Sequence, residues 1–232
     1  MLAIIGAMDS EIEGFKNLLQ DIQEEKRGQF IFYKGVLFGK EIILVKSGIG
    51  KVLSAITTQK LIDEYSPTHI AMTGVAGSLK HDYKVGDVVV GKDFIQHDVD
   101  ATVFGIEKGH IPDEESRISI SDTNLVNAAL TAKLDNKKLV AGRILSGDQF
   151  LSEEETKARK YFFDEDMQGD AIDMECAAVA QVCNVNKIPF VAIKTICSEL
   201  EGNQEEQYKN SLSHVVNNSV SVIEAVLTSS VL

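Results

Sequence analysis

Two carboxylates stand among apolar residues in this chain. Glu175 lies within Ile172-Asp-Met-Glu-Cys-Ala-Ala-Val-Ala180. A helix through that stretch would place Glu175 on one face with Ala178, Val179 and Val182. That face points inward, where an unpaired carboxylate is costly. Glu175 therefore calls for hydrogen-bond donors or a polar ligand, and its setting suits a structural acid as well as a functional one. Glu11 follows the first apolar run. Asp9, Ser10 and Glu11 equally suit a solvated helix start, where the dipole favours negative charge, so Glu11 alone does not mark a site.

Small residues recur where apolar runs end: Gly6-Ala7, Ser47-Gly-Ile-Gly50, Gly74-Val-Ala-Gly77 and Ser146-Gly147. At the carboxyl ends of parallel strands such residues let backbone N–H groups approach a ligand. One such run is an ordinary turn; four together point to a crevice. Gly48-x-Gly50 is not a dinucleotide fingerprint, because Leu53 occupies the third glycine position. Gly50-Lys51 is not a P-loop, because Val45 and Val52 replace its glycine and its Ser/Thr. His97-Asp-Val-Asp100 has metal-ligand residue types, but no second His stands at a zinc-motif spacing, so a loop with local hydrogen bonds is expected and no metal. No Gly-x-Ser-x-Gly elbow anchors a serine hydrolase.

The elements that must carry these residues alternate. Strands are predicted over 2–6, 30–37, 41–46, 69–73, 85–90, 139–145 and 189–197, with a hairpin turn at Phe38-Gly39-Lys40. Helices are predicted after Asp9, after Gly50, from Asp122, over 174–183 and over 211–227. In the last, Leu212, Val215, Val216, Val222, Ile223, Val226 and Leu227 share a face on which Ser219 is the one small polar residue. This order predicts an α/β fold, a single domain over 1–232 with a mainly parallel sheet flanked by helices. No linker or repeat divides the chain. Lys92 to Arg117 is the longest stretch without periodicity, as befits a functional or interface loop.

Composition limits the partners. Of 232 residues 44% are apolar and 25% charged, which supports a full core. The acidic residues outnumber the basic ones, 35 to 23, for a net charge of −12. That balance argues against nucleic acid and anionic membrane, which need basic patches, but not against a small neutral ligand. Cys176, Cys183 and Cys197 cannot all pair and form no Cys-x-x-Cys, so they read as reduced core thiols of a cytoplasmic protein. Met1 to Met8 lacks the basic start of a signal peptide, and no apolar run is long enough to span a membrane.

Several motifs occur in a telling order: Ile4-Ile-Gly-Ala-Met8 followed by Glu11, Ser47-Gly-Ile-Gly-Lys51, Thr73-Gly-Val-Ala-Gly77, Val85-Gly-Asp-Val-Val89, Ser146-Gly-Asp-x-Phe150 and Met174-Glu175. Together they resemble the 5′-methylthioadenosine/S-adenosylhomocysteine nucleosidases of the purine nucleoside phosphorylase superfamily. The resemblance runs from Leu2 to the C-terminal helix. It implies a nucleoside phosphorylase-like domain with a twisted mixed sheet, a homodimer, and no cofactor. It implies hydrolysis of the adenine–ribose bond, yielding adenine and a thioribose sugar in methionine salvage and methyl-cycle recycling. By position, Glu11 activates water, Glu175 binds ribose hydroxyls and Met174 lies beside the ribose. Phe150 stacks on adenine and the Leu151 backbone bonds the base. Met8, Ile49, Val75, Ala76 and Gly77 join the substrate pocket. Phe104, Ile106 and Pro112 belong to a loop lent to the neighbouring subunit's alkylthio pocket. The chemistry is coherent: a carboxylate stabilises the cationic sugar and a base orients water.

Two departures stand out. Relatives usually carry Ser-Asp after the last long strand, the Asp serving purine N7, whereas this chain reads Lys194-Thr-Ile-Cys-Ser-Glu-Leu200. Without a gap Ser198 takes the Asp position; with one inserted residue Glu199 does. Glu199 is preferred because catalysis needs a titratable donor. Val75 stands where relatives often have Ser. Two rivals follow. A purine nucleoside phosphorylase would need arginines for phosphate, and none of Arg27, Arg117, Arg143 and Arg159 lies near the small-residue turns. A nucleoside-binding protein with weakened turnover would fit Ser198 in the acid's place.

Overall fold

β1 (Leu2–Gly6) is buried along its whole length. It lies between two parallel neighbours, β4 (Lys40–Lys46) and β5 (His69–Ser78), which is where a continuous apolar run belongs. The computed structural model describes residues 1–164 and 167–232, with the backbone alone at 212–217. β3 (Phe30–Leu37) pairs antiparallel with β4 through the expected hairpin, whose Phe38 and Gly39 both take positive φ. β2 (Gln20–Arg27) adds an edge strand that the sequence reading did not foresee. Its residues are polar and mostly exposed, so it carries no apolar alternation, and its charges suit an edge.

β5 corrects the expected strand, which stopped at Thr73. Its Gly74 to Gly77 segment continues in parallel register with β10 (Phe190–Ser198). Gly77 and Ser78 also pair with the short β9 (Ala171–Asp173). The small residues there belong to a strand that passes close to other groups, not to a turn. β6 (Val88–Gln96) likewise absorbs the first residues of the stretch taken as unpatterned. Beyond it, 97–117 holds one helical turn at Thr102–Phe104 among the described residues. β7 (Ser119–Ile120) hangs on β6, and β8 (Leu139–Ser146) runs parallel to it. The pairings β5–β10–β6–β8–β9–β5 close a ring, and β1, β4, β3 and β2 extend from it. The sheet is mixed and single.

Helices cover both faces. Ala3 and Ile5 of β1 pack with Ile43, Val45 and Met72 beneath α2 (Lys51–Tyr65) and α5 (Cys176–Val185). Leu2 and Ile4 face the other way, toward α1 (Asp9–Leu18), α3 (Thr123–Ala129) and α6 (Gln204–Thr228). Asp122 caps α3 by accepting from the N–H groups of Asn124 and Leu125. α6 starts seven residues before the predicted 211, capped by Asn203. Its Val222, Ile223, Val226 and Leu227 are buried, and Ser219 Oγ meets Thr195 Oγ1 at 3.0 Å. The side chains of Leu212, Val215 and Val216 lie outside the described residues. A short α4 (Glu153–Ala158) borders the crevice. The three cysteines are buried and unpaired. No described helix is long and apolar enough to cross a membrane.

Candidate active site

The carboxyl ends of β1, β4, β5 and β10 meet at one cavity of about 280 Å³. Glu11 sits beside it, one turn into α1, and is 2% exposed, so it is not the solvated helix start its neighbours suggest. Its Oε2 accepts from the N–H groups of Ala7 (2.7 Å) and Met8 (3.0 Å). Its Oε1 accepts from Val75 N–H at 2.9 Å. One carboxylate thus ties the start of α1 to the middle of β5. Gly74 allows this approach: a Cβ there would lie 2.3 Å from Glu11 Oε1.

Glu175 is buried too, but not on a helix face as predicted. It is the residue before α5, in a non-helical conformation, and its side chain turns to the 47–50 turn. Gly50, at φ 95°, directs its N–H to Glu175 Oε1 at 3.0 Å. A residue with a side chain would be strained at that φ. The fully buried Lys194 of β10 stands 3.6 Å from Glu175 Oε2 and 3.0 Å from Asp173 Oδ2. Asp173 also accepts from Ser146 Oγ (2.5 Å) and Cys176 N–H (3.0 Å). Burial alone would raise the Asp173 carboxyl, yet Lys194 and these donors hold it below the usual carboxylate range. Glu175 lies farther from the shared cation, and burial pushes its carboxyl up to about 7. Burial opposes the Lys194 ammonium, but the surrounding acidic groups more than offset that and hold it well above its ordinary value. The sequence reading missed Lys194 and Asp173; a lysine as the one charged residue in the run Phe190 to Ile196 was the available signal.

The opposite wall is set by a β-bulge. Ile196 pairs with Ala76 and Ser198 with Gly77, so Cys197 is the extra residue. Bulges re-aim side chains beside sites. Here Cys197 and Ser198 both line the cavity. Glu199 does not: its Oε2 meets Lys84 Nζ at 2.7 Å outside the pocket, and its N–H donates to Gln207. The expected placement of the Glu199 carboxyl in the pocket is therefore corrected; the bulge turns it out and leaves Ser198 in. Met8, Ile49, Val75, Ala76, Gly77 and Met174 line the cavity as expected, with Phe150 and Leu151 closing the outer side. Tyr208 and Gln204 of α6 also line it, unforeseen because the helix was started too late. The Tyr208 hydroxyl meets Met8 Sδ at 3.1 Å, and its ring meets Phe150 edge-on at 5.5 Å.

Phe104, Ile106 and Pro112 are not among the residues lining this cavity, and Phe104 is 81% exposed. The acids and the His of 97–100 have separate partners. His97 is buried edge-on against Phe162, and burial lowers it to about 4. Asp98 pairs with Lys51 Nζ at 2.6 Å and accepts from Asp148 N–H; Asp148 in turn accepts from Lys51 N–H. Asp100 pairs with Lys108. No group of three or more described His, Cys, Asp or Glu residues is placed to hold a metal ion.

Known proteins resemble this chain in sequence and fold. The sequence profile of the phosphorylase superfamily matches residues 1–228. A 5′-methylthioadenosine/S-adenosylhomocysteine nucleosidase of Staphylococcus haemolyticus is 34% identical over 228 residues, spanning 98% of this chain and 99% of that protein. The nucleosidase of Neisseria meningitidis, solved with methylthio-immucillin-A, superposes with a TM-score of 0.91 at 34% identity, covering 97% of each chain. That of Colwellia psychrerythraea, solved with adenine, gives 0.90 at 34% identity over 97% of this chain and 93% of its own. The chain thus belongs to the phosphorylase superfamily, within its 5′-methylthioadenosine/S-adenosylhomocysteine nucleosidases.

Proposed function

We propose that this protein hydrolyses the N-ribosyl bond of 5′-methylthioadenosine and S-adenosylhomocysteine, releasing adenine and the thioribose sugar. The observation that carries the reading is the meeting of Glu11 and Glu175 at one cavity with an aromatic outer wall. Adenine lies against Phe150, with the Leu151 backbone at its edge. The ribose hydroxyls meet Glu175, which Lys194 and Gly50 orient from behind. As the glycosidic bond lengthens, positive charge grows on the sugar and the acids beside it stabilise that charge. Glu11, fixed by three N–H donors, takes a proton from the attacking water. Hydrolysis is favoured over phosphorolysis because no Arg or Lys is among the described residues lining the cavity. The two nearby lysines are also engaged, Lys46 by Asp9 and Lys51 by Asp98. Strict dependence of adenine release on phosphate would overturn that choice.

The working form in this reading is a cytoplasmic homodimer. Buried unpaired thiols suit a reducing compartment. The second copy would cover the exposed loop bearing Phe104, Ile106 and Pro112, and would receive it at the alkylthio end of its own pocket. The central test is Glu11→Gln. Adenine release should fall by about 10²- to 10⁴-fold, while methylthioadenosine binding, read by calorimetry, stays within a few-fold. Undiminished turnover would remove Glu11 from the mechanism.

A further inference from the structure

The acids of the cavity are all held by partners. Asp173 and Glu175 are the only lining residues with carboxyl groups among those described. Both are held by Lys194 and by backbone donors near the 47–50 turn and the start of α5, and Glu11 is held at β5. The β10 wall offers a different chemistry. Its polar side-chain groups are the Ser198 hydroxyl and the Cys197 thiol, and burial pushes that thiol up to about 12. Ser198 is 5% exposed, and a Cβ on Gly77 would lie 3.3 Å from its Oγ. Two further observations keep a carboxyl away from this wall. The bulge at Cys197 leaves Ser198 facing the cavity with Glu199 beyond it, and Lys84 holds the Glu199 carboxylate at 2.7 Å outside the pocket.

A purine anion is a poor leaving group, and an acid positioned at it is worth about 10²- to 10⁴-fold in rate. We infer that the base leaves this pocket without a proton from any protein carboxyl, with Ser198 holding it by a hydrogen bond only. The inference rests on the proposed nucleosidase reading and adds that the base, lying against Phe150, also reaches Ser198 on the β10 wall. The step balances without a protein acid. The C1′–N9 bond breaks and its electron pair stays with the base. The water oxygen bonds to C1′ and passes a proton to Glu11. The base takes a proton from a second water, and the proton on Glu11 returns to the resulting hydroxide. The substrate class follows: the pocket turns over ribosides whose leaving group is a weak base, and adenine nucleosides are bound well but cleaved slowly.

The test compares 5′-methylthioadenosine with 4-nitrophenyl 5-methylthio-β-D-ribofuranoside, whose phenolate departs unaided. The wild-type protein should cleave the aryl riboside with a kcat about 10²-fold or more above that for methylthioadenosine. Ser198→Asp should raise adenine release about 10²-fold and leave aryl cleavage within about threefold, because it acts on base departure alone. Glu199→Gln, altered outside the pocket, should change neither. Equal wild-type rates on the two ribosides would overturn the inference, as would loss of adenine release alone in Glu199→Gln; both leave the nucleosidase reading standing. Cleavage of neither riboside would overturn the nucleosidase reading itself, and this inference with it. The wild-type and Glu199→Gln arms decide the matter even if Ser198→Asp does not fold.

Discussion

Glu175 and Asp173 share one buried lysine unequally, and the nearer acid keeps its charge at the expense of the other. In the folded protein Glu175 therefore titrates at about 7, against 4.5 when unperturbed. Between those values the folded state holds a proton that the unfolded chain has released. Stability must then fall as pH rises from about 4.5 to 7 and level off above, a loss on the order of 3 kcal/mol. Glu175→Gln, which carries no charge, should lack that component. Urea midpoints at pH 5 and pH 8 check it: wild type should lose more than the variant, and parallel losses would refute the shift. The importance of Glu175 was legible because an acid in Met-Glu-Cys-Ala-Ala-Val is conspicuous. Its partner Lys194 left a weaker mark, a lone cation within the run Phe190 to Ile196, whose meaning emerges only when the opposing acids are placed.

Elements deliver these side chains through close backbone approaches. Gly74 lets β5 reach Glu11, and a methyl group there would overlap the carboxylate. Gly74→Ala should displace Glu11, cutting kcat by about 10²-fold and lowering stability by about 1–3 kcal/mol. Steady-state kinetics and thermal melting together check this; a wild-type kcat in the alanine variant would show that Glu11 need not be held. The alternating strands and helices were readable from apolar periodicity, and the hairpin from Phe38-Gly39. Three things were not. β2 is polar on an exposed edge. β5 runs on through Gly74 and β6 through Gly91-Lys-Asp93, where the apolar run is interrupted. The β10 bulge, which decides between Ser198 and Glu199, depends on register against Gly77 and leaves no mark in β10 alone.

At the scale of the molecule, α2 and the 97–117 loop, tied together by Lys51 and Asp98, both carry exposed apolar residues. Val52 and Ile56 are 67% and 50% exposed, and Val103 and Phe104 more so. Such a patch on a chain of net charge −12 suits a partner of matching shape, and the proposed partner is a second copy. Val52→Asp combined with Ile56→Asp should give a monomer by light scattering, with native circular dichroism and a KM for methylthioadenosine raised about 10-fold, since the alkylthio end of the pocket would lack its cover. A dimer that survives both charges would place the interface elsewhere. The composition argued against polyanionic partners, while the exposure of Val52 and Ile56 could be recognised only once the fold buried the opposite face of α2, with Ser54, Thr57, Thr58 and Leu61.

The Lys51 clamp links these scales. Lys51 joins Asp98 and Asp148, and so fastens together the 47–50 turn, the root of the 97–117 loop and the end of β8. The turn that supplies Gly50 to Glu175 and the 97–117 loop, which the proposed dimer would offer to its second copy, therefore hang from one anchor. Whatever stiffens the loop lowers the entropy still to be lost when the turn closes on a ribose. In the proposed dimer, docking of a neighbour and capture of a nucleoside would be thermodynamically linked, each strengthening the other by the same factor.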